Sequence, residues 1–147
     1  INPKTDGPLV DVYHRPIPQL AAGQALAPHA TAAMDVSDGL LLDLSRLCAA
    51  SGCAAEVDLD SLPLSSAFVA ARGEDRAARL FAATGGDDYA LLAALPPKID
   101  PAVTLSLPEG TTLTCIGALA SGRILSLSDR DGAVPLPEHL GHEHRPA

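Results

Sequence analysis

Apolar residues recur at helical spacing at Leu40, Leu44, Leu47 and Cys48, and Gly52 follows, which predicts a helix ending at a glycine stop. Ala55, Val57 and Leu59 then alternate with Glu56, Asp58 and Asp60, the period of a half-buried strand. Upstream, the Ala/Leu-rich stretch 19–28 suits a short helix, and 31–36 supplies an apolar strand that ends in Ser37-Asp38-Gly39. Downstream, Ser65-Ser66 can cap a helix through Ala71. Ala77, Ala78, Leu80 and Phe81 set against Arg72, Arg76 and Arg79 predict a second helix over 74–84, closed by Gly85-Gly86. Tyr89 to Leu95 reads as a short buried strand before Pro96-Pro97, and 111–119 with 122–127 reads as an antiparallel hairpin across an Ala-Ser-Gly link. Pro3, Pro8, Pro16 and Pro18 predict an extended leading segment or inter-domain linker over 1–18. The fold class that follows is α+β: a layered α/β domain over 19–147 with a mixed β-sheet.

Composition narrows the functions open to such a domain. The 147 residues are 47% hydrophobic and 19% charged, a globular balance sufficient for one core. Ten basic against 18 acidic residues give a net charge of −8, the wrong sign for tracking a phosphate backbone, so nucleic acid is not an expected partner. Two Phe, two Tyr and no Trp offer little for a membrane-interface belt, and no apolar run nears the roughly 20 residues of a membrane span. Cys48, Cys53 and Cys115 lack metal-ligand spacing, read as small core residues, and suit a reducing compartment, so a cytoplasmic location is expected. The first residue is Ile1, with no signal segment, which suggests a start inside a longer protein.

Two acidic clusters could carry chemistry. Met34-Asp35-Val36-Ser37-Asp38-Gly39 sets two carboxylates and a hydroxyl between a strand and a helix N-terminus. Hard oxygen ligands there suit Mg²⁺ shared with phosphate; equally, Ser37 or Asp38 could simply cap the helix. In Thr84-Gly85-Gly86-Asp87-Asp88-Tyr89 the glycines allow a ligand close to the backbone and the aspartates attract cations; the alternative is a helix stop with solvated acids. His139, His142 and His144 have spacing that could bind a transition metal, although such tails are commonly solvated. No nucleophile elbow and no Walker-type glycine loop is present.

Taken in order, His14-Arg15-Pro16, Leu20-Ala21-Ala22-Gly23-Gln24-Ala25-Leu26, Met34-Asp35-Val36-Ser37-Asp38-Gly39-Leu40, Asp58-Leu59-Asp60-Ser61-Leu62-Pro63-Leu64 and Gly85-Gly86-Asp87-Asp88-Tyr89 resemble the C-terminal domain of thiamine-monophosphate kinases, within the aminoimidazole ribonucleotide synthetase superfamily. The resemblance runs from about Tyr13 to His144. It implies a layered α/β domain that works with an N-terminal, ATP-binding domain of the same protein, usually as a homodimer. The implied activity is transfer of the ATP γ-phosphoryl group to thiamine monophosphate, giving thiamine diphosphate, with Mg²⁺ neutralising charge. The isolated domain is expected to be inactive.

Carried over by residue, the resemblance makes Asp35 and Asp38 Mg²⁺ ligands, Ser37 an ATP contact, and Asp87 and His142 contacts of the thiamine substrate. No catalytic nucleophile or base is implied, since phosphoryl transfer depends on positioning and charge neutralisation. The family usually has Glu where Asp87 stands and a further Glu at Ala90, and its closing motif carries aromatics that Gly141-His142-Glu143-His144-Arg145 lacks. A sibling enzyme of the superfamily, or a non-catalytic domain of the same fold, remains an alternative.

Overall fold

The structure, a computed structural model, describes residues 7–100 and 104–143. In chain order the elements are α1 (Pro8–His14), α2 (Leu20–Leu26), β1 (Ala32–Asp35), α3 (Leu40–Ser51), β2 (Cys53–Asp58), a 3₁₀ turn (Leu59–Ser61), α4 (Ser66–Arg72), α5 (Arg76–Thr84), β3 (Leu91–Ala94), β4 (Gly117–Ser121), β5 (Leu125–Asp129) and β6 (Gly132–Val134). The expected α+β class with a mixed sheet is observed. β1 and β3 form an antiparallel ribbon, and a four-stranded sheet runs in the order β4-β2-β5-β6, with β2 and β5 parallel and the other pairs antiparallel.

Helix α3 forms where the leucine periodicity placed it, and Gly52 closes it at φ 66°, a left-handed position that costs a glycine no Cβ clash. Its Leu41, Leu44 and Cys48 pack with Ala55 and Val57 of β2, Leu59, and Leu127 and Val134 of β5 and β6. Enclosing each such leucine or valine contributes about 1.5–3 kcal/mol, so this layer fixes the start of α3 against the sheet. Ser65 caps α4 through the Phe68 N–H, as its sequence suggests, and Asp75 caps α5 through the Ala78 N–H.

Three expectations are corrected. The strands at 117–121 and 125–129 are not a hairpin: they pair on opposite edges of β2, and the 122–124 link crosses it. The link spans two strand spacings, about 10 Å, well within the reach of three residues, and pairing both edges of β2 leaves no edge of that strand open. The true hairpin is β5 with β6, around Arg130-Asp131. Within 1–18, residues 8–14 are helical rather than extended, because Pro8 occupies the first turn, where its missing N–H is not needed. Among the cysteines Cys48 is buried, but Cys53 is half-buried and Cys115 exposed.

At the N-terminal end of α5, Asp60 accepts hydrogen bonds from the Arg130 side chain and from its backbone N–H at 2.8 Å, while Arg76 grips Asp129. Arg79 donates to the carbonyls of Leu59 and Leu62, tying α5 to the 3₁₀ turn. The Arg130 hydrogen bonds hold the Asp60 carboxyl down at about 2. Because the folded value lies below the ordinary carboxylate value of about 4, this stabilisation is complete above that value and is lost as pH falls towards 2. Stability is therefore expected to drop between about pH 4 and pH 2, and chemical denaturation of Asp60→Asn across that range should show a shallower pH dependence.

Candidate functional site

Three segments far apart in sequence meet at the start of α3. Val36–Gly39 leaves β1; the Asp87 N–H donates to the Ser37 carbonyl and the Tyr89 N–H to the Val36 carbonyl, both at 2.9 Å, and Val36 donates back to Ala90 at 2.9 Å. The closing segment arrives from the other side, with the His142 N–H donating to the Asp38 carbonyl at 2.7 Å. Glycines permit these approaches: a Cβ on Gly86 would sit 2.7 Å from the Ser37 carbonyl oxygen, and one on Gly39 3.0 Å from that of Thr84. Asp87 and Tyr89 have left-handed φ values of 64° and 51°, a conformation that costs a non-glycine residue about 1–2 kcal/mol. The backbone bonds to Val36 and Ser37 hold them there, and such strain is found preferentially at functional sites.

The expected capping role of Ser37 or Asp38 is overturned. The α3 N-cap is Gly39, with no side-chain cap. Instead Asp43, in the first helical turn and only 1% exposed, turns one carboxylate oxygen back to accept the Ser37 and Asp38 N–H groups, each at 3.0 Å. Its second oxygen accepts from Arg46 at 3.0 Å, and the same Arg46 nitrogen donates to Asp38. Sequence reasoning missed Asp43 and Arg46. The available signal was a lone carboxylate among Leu41, Leu42 and Leu44.

Of the five residues singled out by sequence, Ser37 and Asp38, half-buried, and Asp87 and His142, exposed, lie on these segments, and Asp35, exposed, ends β1 just before the first of them. Asp88 lines a cavity of about 540 Å³ with Val36, Leu40, Leu62, Ala83 and Leu92. Protein atoms crowd its carboxyl there although the residue is reachable by solvent, and this burial, then the Asp87 charge, raises it above the usual carboxylate range. Among the described residues no three His, Cys, Asp or Glu side chains converge as metal ligands, and His144 of the histidine-rich tail lies outside the described residues.

Gly141 makes the third segment's docking testable. A Cβ there would overlap the Asp38 carbonyl oxygen and lie 2.7 Å from the Leu42 Cβ. Gly141→Ala is expected to lower stability by about 1–3 kcal/mol, the range for overpacking, with deletion of 141–147 as the ceiling because the tail can detach to relieve the clash. Urea unfolding of both variants checks this.

Comparisons with known proteins bear on the family and the fold. The family described as AIR synthase related protein, C-terminal domain, matches residues 2–119. Thiamine-monophosphate kinase of Salmonella typhimurium is 38% identical over 138 residues, covering 92% of this chain and 42% of the relative; that of Caulobacter vibrioides is 36% identical over 143 residues, covering 95% and 40%. A solved structure described as AaThiL complexed with AMPPCP and TMP superposes with a TM-score of 0.72 at 26% identity, covering 95% of this chain and 44% of that one. The crystal structure of thiamine-monophosphate kinase from Stenotrophomonas maltophilia K279a gives 0.67 at 38% identity, covering 86% and 42%. The chain thus spans about two-fifths of the length of these relatives, and by its matched residues it belongs to the AIR synthase related protein, C-terminal domain family.

Proposed function

We propose that this chain is the C-terminal domain of an ATP-dependent thiamine-phosphate kinase that transfers the γ-phosphoryl group of ATP to thiamine monophosphate. The observation that carries the reading is the convergence of Val36–Gly39, Gly85–Tyr89 and Gly141–His142, which joins at one point the motifs that resemble this family. The solved relative described with AMPPCP and TMP supports a nucleotide and a thiamine phosphate as the two ligands.

In this reading Asp35 and Asp38 hold Mg²⁺, and Ser37 contacts ATP. The donors fit: hard carboxylate oxygens at a strand end, too few for an all-protein cage, suit an ion that takes one or two carboxylates and fills its shell with phosphate and water. Bound there, Mg²⁺ would neutralise charge on the transferring phosphoryl group. Asp87 and His142 reach the loop on the two other segments through their backbone N–H groups and would contact the thiamine substrate, the carboxylate of Asp87 complementing a cationic ring. Asp43 accepts the Ser37 and Asp38 N–H groups, which supports a loop backbone held in one conformation before ligands arrive.

The complete protein would add an N-terminal ATP-binding domain, joined through 1–18, and pair as a homodimer in the cytoplasm. No described helix is long and apolar enough to cross a membrane. The test is an assay of the complete protein with ATP, Mg²⁺ and thiamine monophosphate. Thiamine diphosphate should form in step with ADP, and the 147-residue chain alone should form none. ATP consumption without thiamine diphosphate would contradict the substrate.

A further inference from the structure

Arg46 stands on the second turn of α3 and serves two carboxylates with one nitrogen, Nη1: Asp38 Oδ2 and Asp43 Oδ1, the latter at 3.0 Å. The three side chains differ sharply in freedom. Asp43 is 1% exposed and fixed by two backbone N–H groups, the Asp38 side chain is 15% exposed, and that of Arg46 is 48% exposed. A guanidinium half in solvent can leave one partner at little cost, whereas Asp43 cannot move without releasing the loop.

We infer that Arg46 is a resident counter-cation of Asp38, displaced by the divalent ion of this site, with Asp43 as the fixed positioning residue that holds both the loop and the guanidinium through the exchange. The inference rests on the metal reading of Asp35 and Asp38. Its logic is electrostatic. Asp38 and Asp43 are two carboxylates bridged by one cation, so part of the negative charge of the empty site is already offset. A divalent ion bound to Asp38 would lie within a few ångströms of the guanidinium, and like charges that close repel strongly. Because Arg46 also contacts Asp43, it can release Asp38 and remain tethered one helical turn away. The loop then meets the ion in the conformation that it has without it.

The test is calorimetric titration of Mn²⁺ into the 147-residue chain and its variants, with NMR of the Arg46 guanidinium during Mg²⁺ addition. Arg46→Gln, which removes the charge, should bind Mn²⁺ roughly three- to tenfold more tightly than wild type, and Arg46→Lys, which keeps it, should stay near the wild-type affinity. Asp38→Asn should abolish this binding in either background. On Mg²⁺ saturation the guanidinium signals should shift, while the Ser37 and Asp38 amides remain protected from exchange. Asp38-dependent binding with the same affinity in Arg46→Gln, or guanidinium signals unmoved by Mg²⁺, would overturn the counter-cation role and leave the metal reading intact. No Asp38-dependent binding in either wild type or Arg46→Gln would overturn both.

Discussion

In the complete protein, Asp38→Asn is expected to lower turnover by about a hundredfold, with part of the loss recovered at high Mg²⁺, since about 3 kcal/mol of charge stabilisation corresponds to that factor. The substitution preserves shape and removes one negative charge. It should leave the fold nearly untouched. Gly39, not Asp38, is the α3 N-cap, so no capping bond is lost. The ion pair with Arg46 involves a half-exposed guanidinium, and such pairs contribute only about 0.2–1 kcal/mol. A large kinetic effect beside a small thermal one therefore marks a ligand. Steady-state rates against Mg²⁺, together with urea unfolding, separate the two; a normal Mg²⁺ dependence would return Asp38 to a structural role.

Asp43→Ala should have the opposite profile, with its main effect on folding. The carboxylate is buried and accepts the N–H groups of Ser37 and Asp38 as well as Arg46. Truncation leaves two backbone donors without their partner, at about 1–3 kcal/mol each, so a loss of about 2–4 kcal/mol is expected when water recovers part of it. Asp43→Asn should recover little, because a single amide oxygen can face the two N–H groups but the amide nitrogen then points its own donors at Arg46. Unfolding free energies of the two variants, compared with that of Asp38→Asn, check the contrast.

The core was legible because its signals are local. The leucine spacing of α3 and the alternation of β2 each report burial within a few residues, and Gly52 and Ser65 act on their immediate neighbours. Sheet topology was not. The Ala-Ser-Gly link carries the chemistry of a turn, but whether 117–121 and 125–129 pair with each other or flank β2 depends on competition for β2, some 60 to 70 residues earlier, which no local pattern encodes. The site divides in the same way. Asp35, Ser37, Asp38, Asp87 and His142 stood out by motif, and the structure brings their segments together through backbone bonds. Asp43 passed unnoticed because its function lies in a turn back towards Ser37 and Asp38, and a carboxylate in a first helical turn is ordinarily explained by the helix dipole.

Paramagnetic broadening of amide signals, with Mn²⁺ and AMPPCP added to the complete protein, tells whether the converged loops or another acidic surface of this domain meet the metal and nucleotide. The chief competitor is the cluster of Asp60, Asp129 and Asp131 at the far end of α5, about 12 Å along the axis of a nine-residue helix. Within this domain, broadening should centre on Val36–Gly39, Gly86-Asp87 and Gly141-His142, and Asp38→Asn should remove it. Broadening centred on Asp60 and Asp129, or unchanged in Asp38→Asn, would place the metal and nucleotide elsewhere.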